Sequence, residues 1–255
     1  MERRKEDKNY IYGIRSIIEA IESGEEIDKI LIRNNLNGEL YRELSALVKA
    51  RDIPLQRVPE EKLNRITRKN HQGTIAFISP VRYYNLDNLI ATLYEEGSIP
   101  FFLLLDGITD TGNFGAIART ATCAGVDAII IPEKGSVSVT PASIKTSAGA
   151  LFHIPVCRVK NIREAINTLK GNGIKVVGAS EKAAELYTTV NYTEPVAIIM
   201  GAEDTGISDE ALKMCDSLVS IPMMGNVASL NVSVAAGVMM YEAVMQRLNM
   251  GMEME

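Results

Sequence analysis

Three short segments of this chain carry polar residues at spacings that could act on a substrate: Asn113 to Arg119, Gly201 to Gly206, and Ile221 to Ser233. Each follows an apolar run of strand type, and in a parallel sheet the carboxyl ends of strands are where ligands sit. In the first, Gly112 and Gly115 allow close backbone approach, and Arg119 lies about two turns into an expected helix. Taken alone, Asn113 reads better as a helix cap and Arg119 as a solvated surface charge. In the second, Gly201 and Gly206 have the separation of a phosphate-binding loop, but Ile207 stands where that loop needs lysine, so nucleotidase chemistry is excluded. Its bland reading is a turn, with Ser208 capping a helix over Asp209 to Met214. In the third, Ser229 falls at the N-terminus of a helix expected from Leu230 to Arg247, where free N–H groups and the dipole favour an anionic or polar ligand. Capping alone would explain Ser229. It does not explain Asn231, a polar residue in the first turn of a mostly apolar helix, where a buried amide needs partners that a ligand can supply.

These segments need a scaffold, and the apolar pattern supplies one. Phe101 to Leu105, Ala128 to Ile131, Lys175 to Gly178 and Val196 to Met200 are near-continuous apolar runs separated by helical stretches, the signature of a mainly parallel, doubly wound sheet. Upstream, residues 9–80 alternate helix and strand. Helices are expected over Ile14 to Ile21, over Leu40 to Ala50 and from Pro59, with strands over Lys29 to Ile32, Pro54 to Val58 and Thr74 to Ile78. This reads as a small α/β sandwich. The expected division is a disordered tail over 1–8, a small domain over 9–80, a linker over 81–99 carrying one short amphipathic helix, and a catalytic domain over 100–255.

Composition removes several classes of function. No apolar run approaches the length of a membrane span, and the mixed-charge start has no apolar core of a signal peptide, so a cytoplasmic location is expected. With two histidines, His71 and His153, and three separated cysteines read as buried free thiols, a metal site has few ligands to draw on. No Gly-x-Gly-x-x-Gly follows a strand, which argues against a dinucleotide oxidoreductase. The net charge of −5 does not advertise nucleic-acid binding. The acidic excess lies beyond residue 81, however, and the small domain carries a slight basic bias.

Taken together, the three segments resemble the SpoU/TrmH family of RNA ribose methyltransferases, whose pattern has an Asn-x-Gly-x-x-x-Arg segment, a Gly-x-Glu-x-x-Gly segment and an Ile-Pro-Met-x-Gly segment running to Ser-Leu-Asn-Val-Ser. All three occur here in order. Tyr12-Gly13, Ile30 to Ile32 and His71 to Thr74 are similar to the substrate-binding domain that precedes the catalytic domain in that family. The resemblance implies a C-terminal trefoil knot, a homodimer and S-adenosyl-L-methionine as cofactor, with no metal. It implies a reaction site of Asn113, Arg119, Glu203, Ser229 and Asn231. The cofactor would be held by Gly201, Ile221 and Leu230, largely through backbone, with Ala179, Ser180, Met223 and Asn231 nearby. The implied reaction is 2'-O-methylation of a ribose, with a guanosine of large-subunit (23S) rRNA as target. Alternatives are a tRNA ribose methyltransferase of the same family and a non-catalytic RNA-binding or ribosome-assembly factor. Thr111-Gly112 departs from the Pro-x pair that many members carry before the motif asparagine. No histidine stands near the motifs to take the hydroxyl proton, and guanidinium groups hold their protons in proteins. Arg119 is therefore expected to activate the hydroxyl either as a deprotonated base or by holding the adjacent phosphate, and the partner protomer could donate it. His71 and Gln72 read as a satisfied loop pair or as an RNA contact.

Overall fold

The structure, a computed structural model, describes residues 10–226 and 229–252, with the side chains of 251 and 252 excepted. The expected tail over 1–8 lies outside the described residues. The chain divides into two compact units, one ending at Arg82 and one beginning at Tyr83.

The first unit contains β1 (Tyr10–Tyr12), α1 (Ile14–Glu22), β2 (Ile27–Arg33), α2 (Glu39–Ala50), β3 (Leu55–Val58), α3 (Glu60–Ile66) and β4 (Thr74–Ile78). Its four-stranded sheet has the order β1-β4-β2-β3, antiparallel except for the β2–β3 pair. Side chains of a strand alternate between faces. Ile30 and Ile32 accordingly pack under α1 and α2 with Ile17, Ile21 and Leu44, while Leu31 packs on the other face with Leu63 of α3. The expected α/β sandwich is present, with one strand, β1, that its three residues did not announce.

The second unit contains β5 (Tyr83–Tyr84), α4 (Leu86–Glu95), β6 (Phe101–Asp106), α5 (Thr111–Cys123), β7 (Ala128–Pro132), α6 (Pro141–Thr146) and β8 (Val156–Val159). It continues with α7 (Ile162–Gly171), β9 (Lys175–Ala179), β10 (Glu185–Leu186), β11 (Val196–Gly201), α8 (Asp209–Met214), β12 (Ser217–Ser220) and α9 (Val232–Met252). Its eight-stranded sheet runs β10-β12-β9-β11-β6-β7-β8-β5, and every pair is parallel. The central strands β6, β7 and β11 are buried almost throughout, which is why they read as unbroken apolar runs. Residues 83–99 hold the expected amphipathic helix but belong to this unit instead of linking to it. β5 pairs with β8, and α4 packs Leu86, Ile90 and Leu93 into the core on the sheet.

From β6 the chain steps outward to β7 and β8, then crosses back to place β9, β11 and β12 on the opposite side of β6. Such a reversal opens a crevice at the carboxyl ends of the strands, where their loops diverge. All three polar segments leave the sheet there. Among the described residues no helix is long and apolar enough to cross a membrane.

Candidate active site

Asp106 ends β6, and its carboxylate accepts the Ser208 N–H at 2.8 Å, tying the first segment to the second. Asp110, not Asn113, caps α5, accepting the Asn113 N–H at 2.7 Å. The cap reading of Asn113 is therefore corrected, and its side chain is left for other work. Gly115 makes a helix contact: a Cβ there would lie 2.6 Å from Thr146 Cβ and 2.8 Å from the Ser143 carbonyl on α6. The close approach expected at this glycine is to a neighbouring helix.

The second segment is a clamped loop. Ala202 and Gly206 exchange backbone hydrogen bonds at 3.1 and 2.9 Å, with Gly206 at a φ of +70°. A Cβ on Gly201 would fall 2.1 Å from Gly206 C and Ile207 N, so only glycine fits. Glu203 is thereby displayed at the loop tip. Ser208 caps α8 through the Ala211 N–H at 3.4 Å, as its bland reading expected.

In the third segment the helix begins at Val232, two residues later than expected. Asn231, rather than Ser229, occupies its N-cap. The Asn231 carbonyl accepts from Val234 and Ala235, and its Oδ1 accepts the Ser233 N–H at 3.0 Å. Asn231 is exposed, which corrects the expectation of a buried first-turn amide. Its Nδ2 donates to Asn113 Oδ1 at 3.1 Å and to the Glu203 carboxylate, which also accepts the Val232 N–H at 3.4 Å. One amide thus joins all three segments.

Beside this cluster lies a pocket at the ends of β9, β11 and β12, lined by Ala179, Gly201, Glu203, Ile221, Met223, Ser229 and Leu230 among others. Of the residues expected around a cofactor, Asn231 alone is outside the lining, although it bonds Glu203 within it. Ser180, Met200, Val219, Val232 and Ala235 complete much of the wall. Their signal in the sequence was position at a strand end or first helical turn.

Arg119 stands apart from the cluster. It is exposed on α5, and six residues at about 100° each place it roughly 120° around the helix from Asn113. Among the described residues no three His, Cys, Asp or Glu side chains are grouped to hold a metal. Cys157 and Cys215 are free and largely shielded, and burial pushes their thiols up to about 12 and about 11. Cys123 is exposed, which corrects its reading as a buried thiol.

Residues 100–241 match the SpoU rRNA Methylase family, and residues 10–84 match the RNA 2'-O ribose methyltransferase substrate binding family. A Staphylococcus saprophyticus protein assigned to the TrmH family of tRNA/rRNA methyltransferases is 39% identical over 94% of this chain and 97% of its own. A Bacillus subtilis protein of the same assignment, YacO, is 36% identical over 95% of this chain and 98% of its own. Among solved structures, the SpoU methyltransferase AviRb from Streptomyces viridochromogenes, in complex with AdoMet, superposes with a TM-score of 0.60. It shares 26% identity and covers 94% of this chain and 90% of that one. An AdoMet-bound rRNA methyltransferase from Sinorhizobium meliloti gives a TM-score of 0.59 at 27% identity, over 94% and 88% of the two chains. The three strand-end motifs, the parallel sheet and these matches agree: the chain belongs to the SpoU family of RNA methyltransferases.

Proposed function

We propose that this protein methylates a ribose 2'-hydroxyl of RNA with S-adenosyl-L-methionine as donor, and that its target is a guanosine of large-subunit (23S) rRNA. The observation that carries the reading is the Asn231 bridge between Asn113 and Glu203 at the rim of the strand-end pocket. The pocket suits that cofactor. Ala179, Ile221, Met223 and Leu230 offer an apolar wall for a purine and an aliphatic chain, Glu203 offers negative charge to a sulfonium, and the backbone of Gly201 is open to close approach. When bound, the cofactor supplies an electrophilic methyl group and needs no metal.

The chain's own residues position the acceptor, which is where much of the rate of such a transfer arises. Glu203 and Asn231 hold each other and fix Asn113, while Ser229 lies exposed beside the pocket with its hydroxyl available to orient a ribose. Arg119 activates the hydroxyl, as a deprotonated base or through the adjacent phosphate. Its displacement around α5 favours service to the site of a second protomer. The homodimer has a surface to use: Val234, Tyr241, Met245 and Leu248 of α9 are 52, 46, 52 and 56% exposed. At spacings of seven, four and three they form one apolar stripe. Gly237 of the same helix packs on Thr120, beside Arg119 on α5. We further propose a C-terminal trefoil knot, which family membership supports and with which the crossing of the chain back over β6 is compatible. A cytoplasmic location suits an RNA substrate of this kind.

A tRNA target within the same family is the second reading, because the TrmH relatives carry both substrates in their names and a structural neighbour is an Aquifex TrmH/SpoU tRNA modifying enzyme at 28% identity. Purified protein offered labelled cofactor with large-subunit rRNA fragments and with tRNA separates the two. Label in the rRNA fragments is expected, and label confined to tRNA would replace the rRNA reading.

A further inference from the structure

The small domain has a polar cleft of about 360 Å3 lined by Arg33, Glu60, Asn64, Lys69, His71 and Gln72, with Asn70 and Gly73. Its chemistry is unlike that of the methyl-transfer pocket. His71 is 5% exposed, and its Nδ1 accepts the Gly73 N–H at 3.0 Å, so its proton is on Nε2, which faces Asn64 Oδ1 at 3.1 Å. The Asn64 oxygen is thereby oriented toward the histidine. Its amide is held with the two Nδ2 protons as the groups left to offer, a donor aimed by a buried histidine.

Two charged side chains of the cleft, Arg33 and Lys69, are also donors, while the third, Glu60, accepts. The Arg33 guanidinium meets Glu60 at 3.3 Å, but both side chains are about half exposed, 42 and 48%, so the pair is weak and exchanges readily for another anion. Its Nε is buried with no partner. Lys69 Nζ lies 5.7 Å from the centre of the Tyr12 ring, a weak attraction at an exposed position, and its side chain lines the cleft. Gln72 is held at a φ of +51°, an uncommon conformation for a residue with a side chain, and Gly73 follows at +79°. A Cβ at Gly73 would lie 3.3 Å from Arg33 Cβ, so this glycine lets the turn press against the arginine. The stretch from Arg57 to Lys69 adds Lys62, Arg65 and Arg68 against two acids, on a chain that is acidic overall.

We propose that this cleft is a subsite for an unpaired segment of the RNA substrate, with Arg33 and Lys69 on phosphates and Asn64 and Gln72 on one base edge. The inference rests on the RNA reading above and narrows substrate binding from a whole domain to a few side chains. With its oxygen turned to His71, Asn64 presents its two Nδ2 protons to a carbonyl or ring-nitrogen acceptor on the base. His71 is a positioning residue that acts through Asn64.

The test uses the full-length protein and a fluorescent single-stranded oligoribonucleotide, titrated across a salt series. Arg33→Gln combined with Lys69→Gln should flatten the slope of log affinity against log salt by about 1.4, the loss of two phosphate contacts to a single strand. Asn64→Ala and Gln72→Ala, both at exposed positions, should each weaken binding roughly tenfold with the slope unchanged. His71→Ala should reproduce the Asn64→Ala loss, and adding it to Asn64→Ala should cost nothing more. Each variant should keep the far-UV circular dichroism spectrum and the melting profile of the unaltered protein, showing that the small domain is folded, and should bind cofactor unchanged, because that pocket lies in the other unit. Variants that bind RNA with the original affinity and slope overturn the subsite, whatever the protein methylates, and so does duplex RNA competing as well as the single strand. A protein that transfers no methyl group yet loses RNA affinity in these variants keeps the subsite and sinks the enzymatic reading instead.

Discussion

Asn231 donates to Asn113 at 3.1 Å across 118 residues of sequence, and the same amide reaches Glu203. The residue also caps α9, so one side chain serves both a helix end and the rim of the pocket. These roles separate by substitution. Asn231→Ala should cost about 1 kcal/mol in thermal unfolding through loss of the cap and reduce methyl transfer about 10²-fold through loss of alignment. Asn231→Ser, which caps without an amide, should recover the stability and not the rate. Recovery of both would reduce Asn231 to a cap.

Arg119 is exposed and does not line the pocket, so its removal should leave the pocket untouched. Arg119→Ala should abolish transfer while cofactor affinity, measured by calorimetry, stays within about twofold of the original. If the partner protomer supplies Arg119, mixing Arg119→Ala with Asn231→Ala protein should restore about a quarter of the activity, because half of the randomly assorted dimers then carry one complete site. No restoration in the mixture would place Arg119 and Asn231 in the same protomer's site.

Gly201 permits the loop that displays Glu203, since a Cβ would fall 2.1 Å from the backbone at Gly206 and Ile207. Gly201→Ala must push that loop outward, at a cost of about 1–3 kcal/mol. Cofactor binding should fall more than Arg119→Ala lowers it. Unchanged binding by calorimetry would show that the loop does not shape the pocket.

The thiols offer a check on packing. At pH 8 iodoacetamide should modify Cys123 readily, because the thiolate is the reactive form and this residue is exposed. Cys157 and Cys215, with thiols raised by burial to about 12 and about 11, should react only once denaturant opens the core. Equal labelling of all three in the folded protein would contradict the packing around β8 and α8.

Much of this architecture was readable because burial leaves a clear imprint. β6, β7, β9 and β11 were legible as apolar runs, and α8 as a capped segment with matching ends. The short strands β1, β5, β8 and β10 have two to four residues and no periodicity to detect. β5 was hidden for a further reason, whereas the short amphipathic helix beside it was legible and is α4: Tyr83, Tyr84 and Asn85 look like turn residues until β8 is there to pair with them. In the site, residue types and order pointed to Asn113, Glu203 and Asn231, but their mutual hydrogen bonds are long-range and leave no local trace. Burial of Asn231 was misjudged because the apolar residues after it suggested a helix enclosed from its first turn, whereas α9 starts at the cap and exposes one apolar stripe.

The most direct test of the central claim is the chemical position of the transferred methyl. The full-length protein is incubated with RNA and cofactor labelled in the methyl group, and the RNA is then hydrolysed with alkali. A methylated 2'-oxygen cannot attack the neighbouring phosphate, so ribose methylation leaves the label in an alkali-resistant dinucleotide. Label in such dinucleotides, lost with Arg119→Ala, is the predicted result; label in mononucleotides, which marks methylation of a base, or no label in RNA at all, would contradict the account.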